Sequence, residues 1–352
     1  MIPNYLIMKR TTCIVILILV AIFLGLLVFC IKQYYHYSVA NFKSFDNKPH
    51  AYHVYPEVTP DSLIAQMQED YDLLSQLAWS LHCRYFKFTS LKPGHYRFAE
   101  KISNRDLVRR LQYGEETPIK LSFTHNIRTR EQLAGHMGNK LLLDSAEVIR
   151  RLNSAEYMEN FGLTPETAVC LFIPNTYEVY WTTTPDQLFA RMHKEYQRFW
   201  NEERLAKAKN LGFTPTEIAT IASIIASETN KKEEYPTIAS IYINRLRRGI
   251  ALQACPTVIF ATGDFTLRRV LKRHLKIDSP YNTYKYRGLP PGPIRLVRPD
   301  IIDAVLNSPK TDYLYMCANP DFSGTHIFSS TYTKHSSVAR DYQRALNERD
   351  VK

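Results

Sequence analysis

The uncharged run IATIASIIAS (218–227) ends at Glu228. On a helix, Ile221, Ile224 and Ile225 lie seven, four and three residues before that carboxylate and share its face. A carboxylate at the end of an apolar stripe is poorly solvated, and it sits near the negative end of the helix dipole. Both effects favour the neutral form and raise its pKa. An acid kept protonated near neutral pH is ready to donate a proton to a leaving group. The plainer reading is that Glu228 marks where a buried face stops and solvent begins. Glu233, Glu234, Asp264 and Asp278 sit in polar or turn-like surroundings and read as ordinary solvated carboxylates.

The elements that would position Glu228 are written around it. Thr214 is a good N-cap, Pro215 suits the first helical position, and Glu217 can complete a capping box. A second helix over 235–248 places Ile238, Ile241, Tyr242 and Arg245 at helical spacing. The turn LQACPT (252–257) follows. Two stiff loops, SPYNTY (279–284) and GLPPGP (288–293), are too rich in proline and aromatics to read as mere connectors.

These segments, ASETN (226–230), YINRLRRG (242–249), LQACPTVIFATG (252–263), SPYNTYKYRGLPPGPI (279–294) and YLYMCANPDFSGTHIFSSTYTKH (313–335), resemble the MltG/YceG-like endolytic murein transglycosylases. The resemblance extends upstream to PNTYEVYW (174–181) and to a LysM-like segment near KPGHYRF (92–98). It implies cleavage of the MurNAc–GlcNAc linkage without water. One acid protonates the glycosidic oxygen; the resulting carboxylate then takes the proton of the MurNAc 6-hydroxyl, which closes on C1 as a 1,6-anhydro ring. Glu228 matches the family's catalytic Glu, whereas most glycosidases use two carboxylates.

The matched residues Gln253, Tyr281, Asn282 and Thr283 are the expected substrate-binding donors, joined by Asn244 and, through stacking on sugar faces, Tyr177. Burial in the core is the competing reading for Tyr177 and Trp181, and Asn244 is placed equally well in or out of the site. Arg245 is expected to be a structural clamp and His326 a satisfied structural histidine. The sequence departs from the family pattern in three places. Cys255 replaces the usual Asp before Pro-Thr-Val, Arg298-Pro299-Asp300 replaces Asn-Pro-Gly, and Lys334 replaces a Glu before His335. The Asp is read as a turn cap, so its loss leaves the chemistry with Glu228. No cofactor and no metal is expected; no Walker loop, dinucleotide fingerprint or H-E-x-x-H motif occurs.

Residues 11–31 are TTCIVILILVAIFLGLLVFCI, without a charge and long enough to span a bilayer. It reads as an uncleaved anchor, since no A-x-A site follows and bulky Val28 and Phe29 precede Cys30. Lys9 and Arg10 place the N-terminus in the cytoplasm and the remainder outside, in the periplasm of a cell with an outer membrane, with Tyr34, Tyr35 and Tyr37 as an aromatic belt. The expected fold class is α+β: a single transmembrane helix, a LysM-like β-α-β subdomain and a mixed α/β catalytic domain. The expected segments are a tail (1–10), the anchor (11–31), a stalk and helix (32–84), the LysM-like subdomain (85–124), a helical connector carrying PNTYEVYW (125–213) and the catalytic domain (214–352). In the third and fourth of these, 60–81 reads as one helix and 85–88 as a strand, and Ser103 and Gly114 bracket a helix.

The net charge is +11, and Arg268, Arg269, Lys272, Arg273, Lys276, Lys285 and Arg287 form a basic cluster. Nucleic acid is discounted because everything after 31 lies outside the cytoplasm; the membrane surface and wall-peptide carboxylates are the better partners. The six cysteines are dispersed, with no metal spacing. Two functions from different classes fit: a membrane-anchored lytic transglycosylase acting on nascent glycan strands, and a non-catalytic peptidoglycan-binding scaffold of the same fold that recruits peptidoglycan synthases.

Overall fold

The computed structural model describes residues 3–267 and 269–348; Met1, Ile2, Arg268 and 349–352, and with them parts of the tail, the basic cluster and the C-terminus, lie outside it. The chain is mixed α+β and divides into two compact units: 1–119 with 178–182, and 120–177 with 183–352.

The first unit begins with α1 (Pro3–Ser38), whose side chains over 11–31 are all exposed. This helix is long and apolar enough to cross a membrane. Where the sequence suggested a stalk, α1 runs on to Ser38 and its end is closed by His36, whose Nδ1 lies 3.0 Å from the Ala40 carbonyl. There follow β1 (Phe42–Ser44), β2 (His50–Val54), α2 (Pro60–Met67), β3 (Tyr71–Leu73), α3 (Gln76–Phe86), β4 (Gly94–Phe98), β5 (Lys101–Ile102) and α4 (Asn104–Tyr113). Antiparallel β1 is flanked by β3 and β5, and β2 pairs with β4 from His50↔Phe98 to Val54↔Gly94. Both α2 and α4 pack on this scaffold around Tyr71, Tyr96 and Phe98.

Two expectations change here. The helix expected over 60–81 is broken by β3. Tyr71 is fully buried, and its hydroxyl donates to the carbonyls of Phe98 and Ala99. That tertiary contact outweighs the helical periodicity of the local sequence. The strand expected at 85–88 is instead the end of α3, stopped by Lys87 in a left-handed conformation. Ser103 and Gly114 do cap α4 at its two ends.

The second unit contains β6 (Ile119–Ser122), α5 (Arg130–Gly138), α6 (Ser145–Asn153), α7 (Ala155–Glu159), β7 (Thr176–Val179), α8 (Pro185–Phe199), α9 (Glu202–Leu211), α10 (Pro215–Glu228), α11 (Tyr235–Arg247), α12 (Cys255–Thr262), α13 (Pro299–Leu306), the hairpin β8 (Tyr315–Ala318) and β9 (His326–Ser329), and α14 (Tyr332–Glu348). β6 and β7 each lie across a unit boundary. Helix α10 is the central rod. All of 218–225 is buried, not one stripe of it, because α9, α11, α12 and α13 pack around it. Its start is the capping box read from sequence: Thr214 Oγ1 accepts from Glu217 N while a Glu217 carboxylate oxygen accepts from Thr214 N at 2.8 Å.

Candidate functional site

Glu228 is the last residue of α10, so the packing of that helix fixes where its carboxyl stands. Tyr242 on α11 reaches across and its buried hydroxyl donates to Glu228 Oε1 at 3.0 Å. Burial pushes the Glu228 carboxyl up to about 7; the Tyr242 hydrogen bond and the nearby His326 pull the other way. The carboxyl opens into a recess of about 490 Å³ whose other walls include Arg128, Ser227, Lys231, Arg295 and Gly324. Glu228 is the only carboxylate among the described residues lining it, and it faces three cationic side chains.

Arg295 is part of the wall's construction. Its Nε donates to the His125 carbonyl and its Nη1 to the Ala226 carbonyl, and burial holds its pKa below the usual value. The loop carrying it is locked to α10 by Ile294 N donating to Ser223 Oγ at 3.0 Å. Two residues before Ile294, Gly292 packs directly on the Glu166 backbone; a Cβ there would collide with the Glu166 carbonyl.

Glu234 is not solvated. It is 5% exposed, accepts from Thr229 Oγ1, and takes both the backbone N–H and Nδ1 of His326. It clamps β9 to the turn that follows Glu228, which gives His326 the structural role expected of it. The sequence carries Glu234 in a run of charges, KKEE, and nothing local announces a partner 92 residues on.

The expected substrate-binding residues fall into two groups. Tyr281 is half-buried, 4.6 Å from the Phe260 ring, and lines a recess of about 390 Å³ with Glu166, Pro291 and Pro293. Arg128 lines both this recess and that of Glu228. Gln253 is exposed with a left-handed backbone, and its N–H donates to the Thr283 carbonyl. The others are engaged inside the protein. Buried Asn282 donates to the Leu275 and Ile277 carbonyls and accepts from Tyr284 N. Thr283 Oγ1 accepts from Ala254 N and meets Thr257 Oγ1. Asn244 donates to the Thr311 and Tyr313 carbonyls. Tyr177 is buried, with its hydroxyl donating to the Ile173 carbonyl. These four residues spend polar atoms on groups within the protein, mostly its backbone. Arg245 is a clamp, donating to the Leu314, Ala251 and Leu252 carbonyls.

The sequence reading missed Tyr242, Arg128 and Arg295. Tyr242 was legible only as a face of α11. The signal was its hydroxyl, since a buried tyrosine needs a hydrogen-bond partner. Cys255, at the first position of α12, places Sγ 3.2 Å from the Tyr284 hydroxyl. Burial raises the Cys255 pKa, and the Glu228 charge adds to the effect.

The YceG-like family model matches residues 52–341. The chain belongs to the YceG-like family. It is 41% identical over 132 residues to a Bacillus subtilis (strain 168) protein named endolytic murein transglycosylase, covering 38% of this chain and 36% of that one. It is 28% identical over 305 residues to a protein of the same name from Streptococcus pneumoniae serotype 2 (strain D39), covering 77% of this chain and 54% of that one. The chain thus spans about a third to a half of the length of these curated relatives. The 2.6 Å crystal structure of a yceG-like protein from Listeria monocytogenes matches with a TM-score of 0.55 and 25% identity, over 83% of this chain and 99% of that one.

Proposed function

We propose that this YceG-like protein is an endolytic peptidoglycan lytic transglycosylase and that Glu228 is its acid and its base. The observation that carries the reading is the isolation of Glu228: one carboxyl with its pKa pushed up to about 7, held by Tyr242, in a recess with no second acidic wall among the described residues. At neutral pH a substantial fraction is protonated. That fraction gives its proton to the glycosidic oxygen as the C1–O bond breaks. The carboxylate left behind takes the proton of the MurNAc 6-hydroxyl as that oxygen bonds to C1, which regenerates the acid and consumes no water. A hydrolase would place a second carboxylate beside the sugar to activate water or attack C1. The carboxylate nearest in sequence that is also buried, Glu234, has its oxygens committed to Thr229 and His326. Arg128, Lys231 and Arg295 give the recess a positive wall suited to an anionic wall polymer. Of the expected substrate-binding residues, Tyr281 lines a recess and is the one we assign to the sugar, while Asn282, Thr283, Asn244 and Tyr177 hold the protein's own backbone.

The wider reading belongs to the same proposal. Residues 11–31 anchor the chain, Lys9 and Arg10 stay in the cytoplasm, and the catalytic segment 214–352 works outside on nascent strands beside peptidoglycan synthases. The LysM-like reading of 85–124 rests on β4 and the well-capped α4, although its strands β4 and β5 pair with β2 and β1 outside that segment. An enzyme reporter fused after Lys352 tests the topology; activity of the fusion in the cytoplasm overturns it.

The chemical test is a digest of purified glycan strands by the full chain, read by mass spectrometry. Anhydro-MurNAc ends are expected. Reducing ends would make it a hydrolase, and intact strands a binding scaffold. Glu228→Gln keeps size but cannot cycle a proton, so it should lose at least ~10²-fold in rate. Glu233→Gln, Asp264→Asn and Asp278→Asn should keep near wild-type rates.

A further inference from the structure

The outward face of α3 carries large apolar side chains. Besides Gln76 and Phe86 at its two ends, its exposed positions are Leu77, Ser80, Leu81, Arg84 and Tyr85, the last four lying three, four, seven and eight residues on from Leu77, which is one helical stripe. Leu77 is 50% exposed, Leu81 51% and Tyr85 80%, while Ala78, Trp79 and His82 on the opposite face are buried in the unit's core. Leu74, just before the helix, extends the apolar surface. A water-facing stripe that is mostly large apolar side chains marks an interaction surface.

The occupant follows from what α3 leans on. Between α3 and the end of α1 lies an apolar recess of about 570 Å³, with Gln33 and Tyr37 on α1 facing Leu81, His82, Tyr85 and Phe86. The Tyr37 ring stacks on Phe86 and sits 5.3 Å from His82. The uncharged run of α1 ends at Ile31, so Gln33 and Tyr37 lie about 3 Å and 9 Å farther along a straight helix. The headgroup zone on each side of a hydrocarbon core is about 5–8 Å deep. The rigid continuation of α1 therefore holds α3 at headgroup depth, next to the point where the anchor leaves the bilayer. Arg84 on the stripe and Lys87 at its end add the basic groups typical of a helix lying in an interface.

We infer that α3 is a second membrane contact: its Leu77–Leu81–Tyr85 face lies in the outer interface of the bilayer, and the recess against α1 takes lipid acyl chain. This rests on reading 11–31 as a membrane anchor. Its consequence is that the first unit is fixed against the membrane plane on two sides instead of swinging on one helix.

The test reconstitutes the full chain into vesicles of phosphatidylethanolamine and phosphatidylglycerol, with Leu81→Trp and, as a second variant, Tyr85→Trp. Flotation reads the anchor. Emission added over the wild-type tryptophans is then quenched either by lipids brominated on their acyl chains or by aqueous iodide. Brominated lipid should lower the added emission at least about twofold, and iodide much less, because the apolar face of an interfacial helix reaches down to the boundary between headgroups and acyl chains. A chain that floats but whose added emission is quenched by iodide and spared by bromine overturns the inference and leaves the anchor standing. Protection from both quenchers that disappears as protein is diluted in lipid would place a second copy on this face, and also overturns it. A chain that does not float overturns the anchor reading itself.

Discussion

The Tyr242 hydroxyl donates to Glu228 Oε1 at 3.0 Å, and this bond favours the charged form of a carboxyl that burial drives toward the neutral form. Tyr242→Phe removes the bond and leaves the burial. The Glu228 pKa should therefore rise above about 7. The alkaline limb of the rate profile, where the proton donor is lost, should move to higher pH. Release of anhydro ends measured across pH 5 to 9 checks this. A limb that stays or moves down would mean that Tyr242 does not tune the acid.

Glu234 makes a different kind of contribution. It satisfies Thr229 Oγ1 and two donors of His326 at once, and Gln offers only one acceptor oxygen in its place. Glu234→Gln should leave a buried donor unpaired and destabilise the fold by about 1–3 kcal/mol. Activity well below the melting temperature should fall far less than in Glu228→Gln. A thermal melt paired with a rate at low temperature separates the two, and a large rate loss in a protein of unchanged stability would put Glu234 in the chemistry.

The elevated pKa of Glu228 also has a sign in stability. Its folded value of about 7 stands above the ordinary 4.5, so the native state holds its proton more tightly than the unfolded chain. Stability from this group is undiminished below pH 4.5, falls as pH rises toward 7, and then levels off. The full loss is up to about 3 kcal/mol at 1.36 kcal/mol per unit. Glu228→Gln has no proton to lose. Its melting temperature should exceed that of the wild type at pH 8, and the advantage should vanish at pH 4. An inactive variant that is also less stable at pH 8 would contradict the burial argument.

The sequence announced α10 in full because its signals are local. Thr214, Pro215 and Glu217 are adjacent, and Glu228 follows an uncharged run. What it did not announce are contacts that close over long separations. Arg295 reaches the His125 carbonyl 170 residues away, and Glu234 reaches His326 across 92. Polar residues in the proline-rich loop looked like ligands for a sugar. Asn282 instead turns its own backbone, since a short amide side chain beside a tight turn finds main-chain carbonyls first. β3 was hidden for the same reason: helical periodicity is visible in a window, whereas the bond from Tyr71 to Phe98 is not.

Cys255 tests whether the family's usual Asp matters to the chemistry or only to the turn. It occupies the first position of α12, where Ala254 supplies no side-chain cap, and its sulfur lies 3.2 Å from the Tyr284 hydroxyl. Cys255→Asp puts a negative charge in the first turn of the helix, worth about 0.3–1 kcal/mol in stability. The same charge should raise the Glu228 pKa further, since the Glu228 charge already raises that of Cys255. The expected outcome is a higher melting temperature and an alkaline limb moved upward, with the maximal rate changed by less than about threefold, short of the 10²-fold typical of a general acid or base. Cys255→Ala should leave both the rate and the limb near wild type. A rise of tenfold or more in the maximal rate of Cys255→Asp, at unchanged pH dependence, would show that a carboxylate at this position joins the reaction. The single-acid scheme built on Glu228 would then have to be rewritten as a pair.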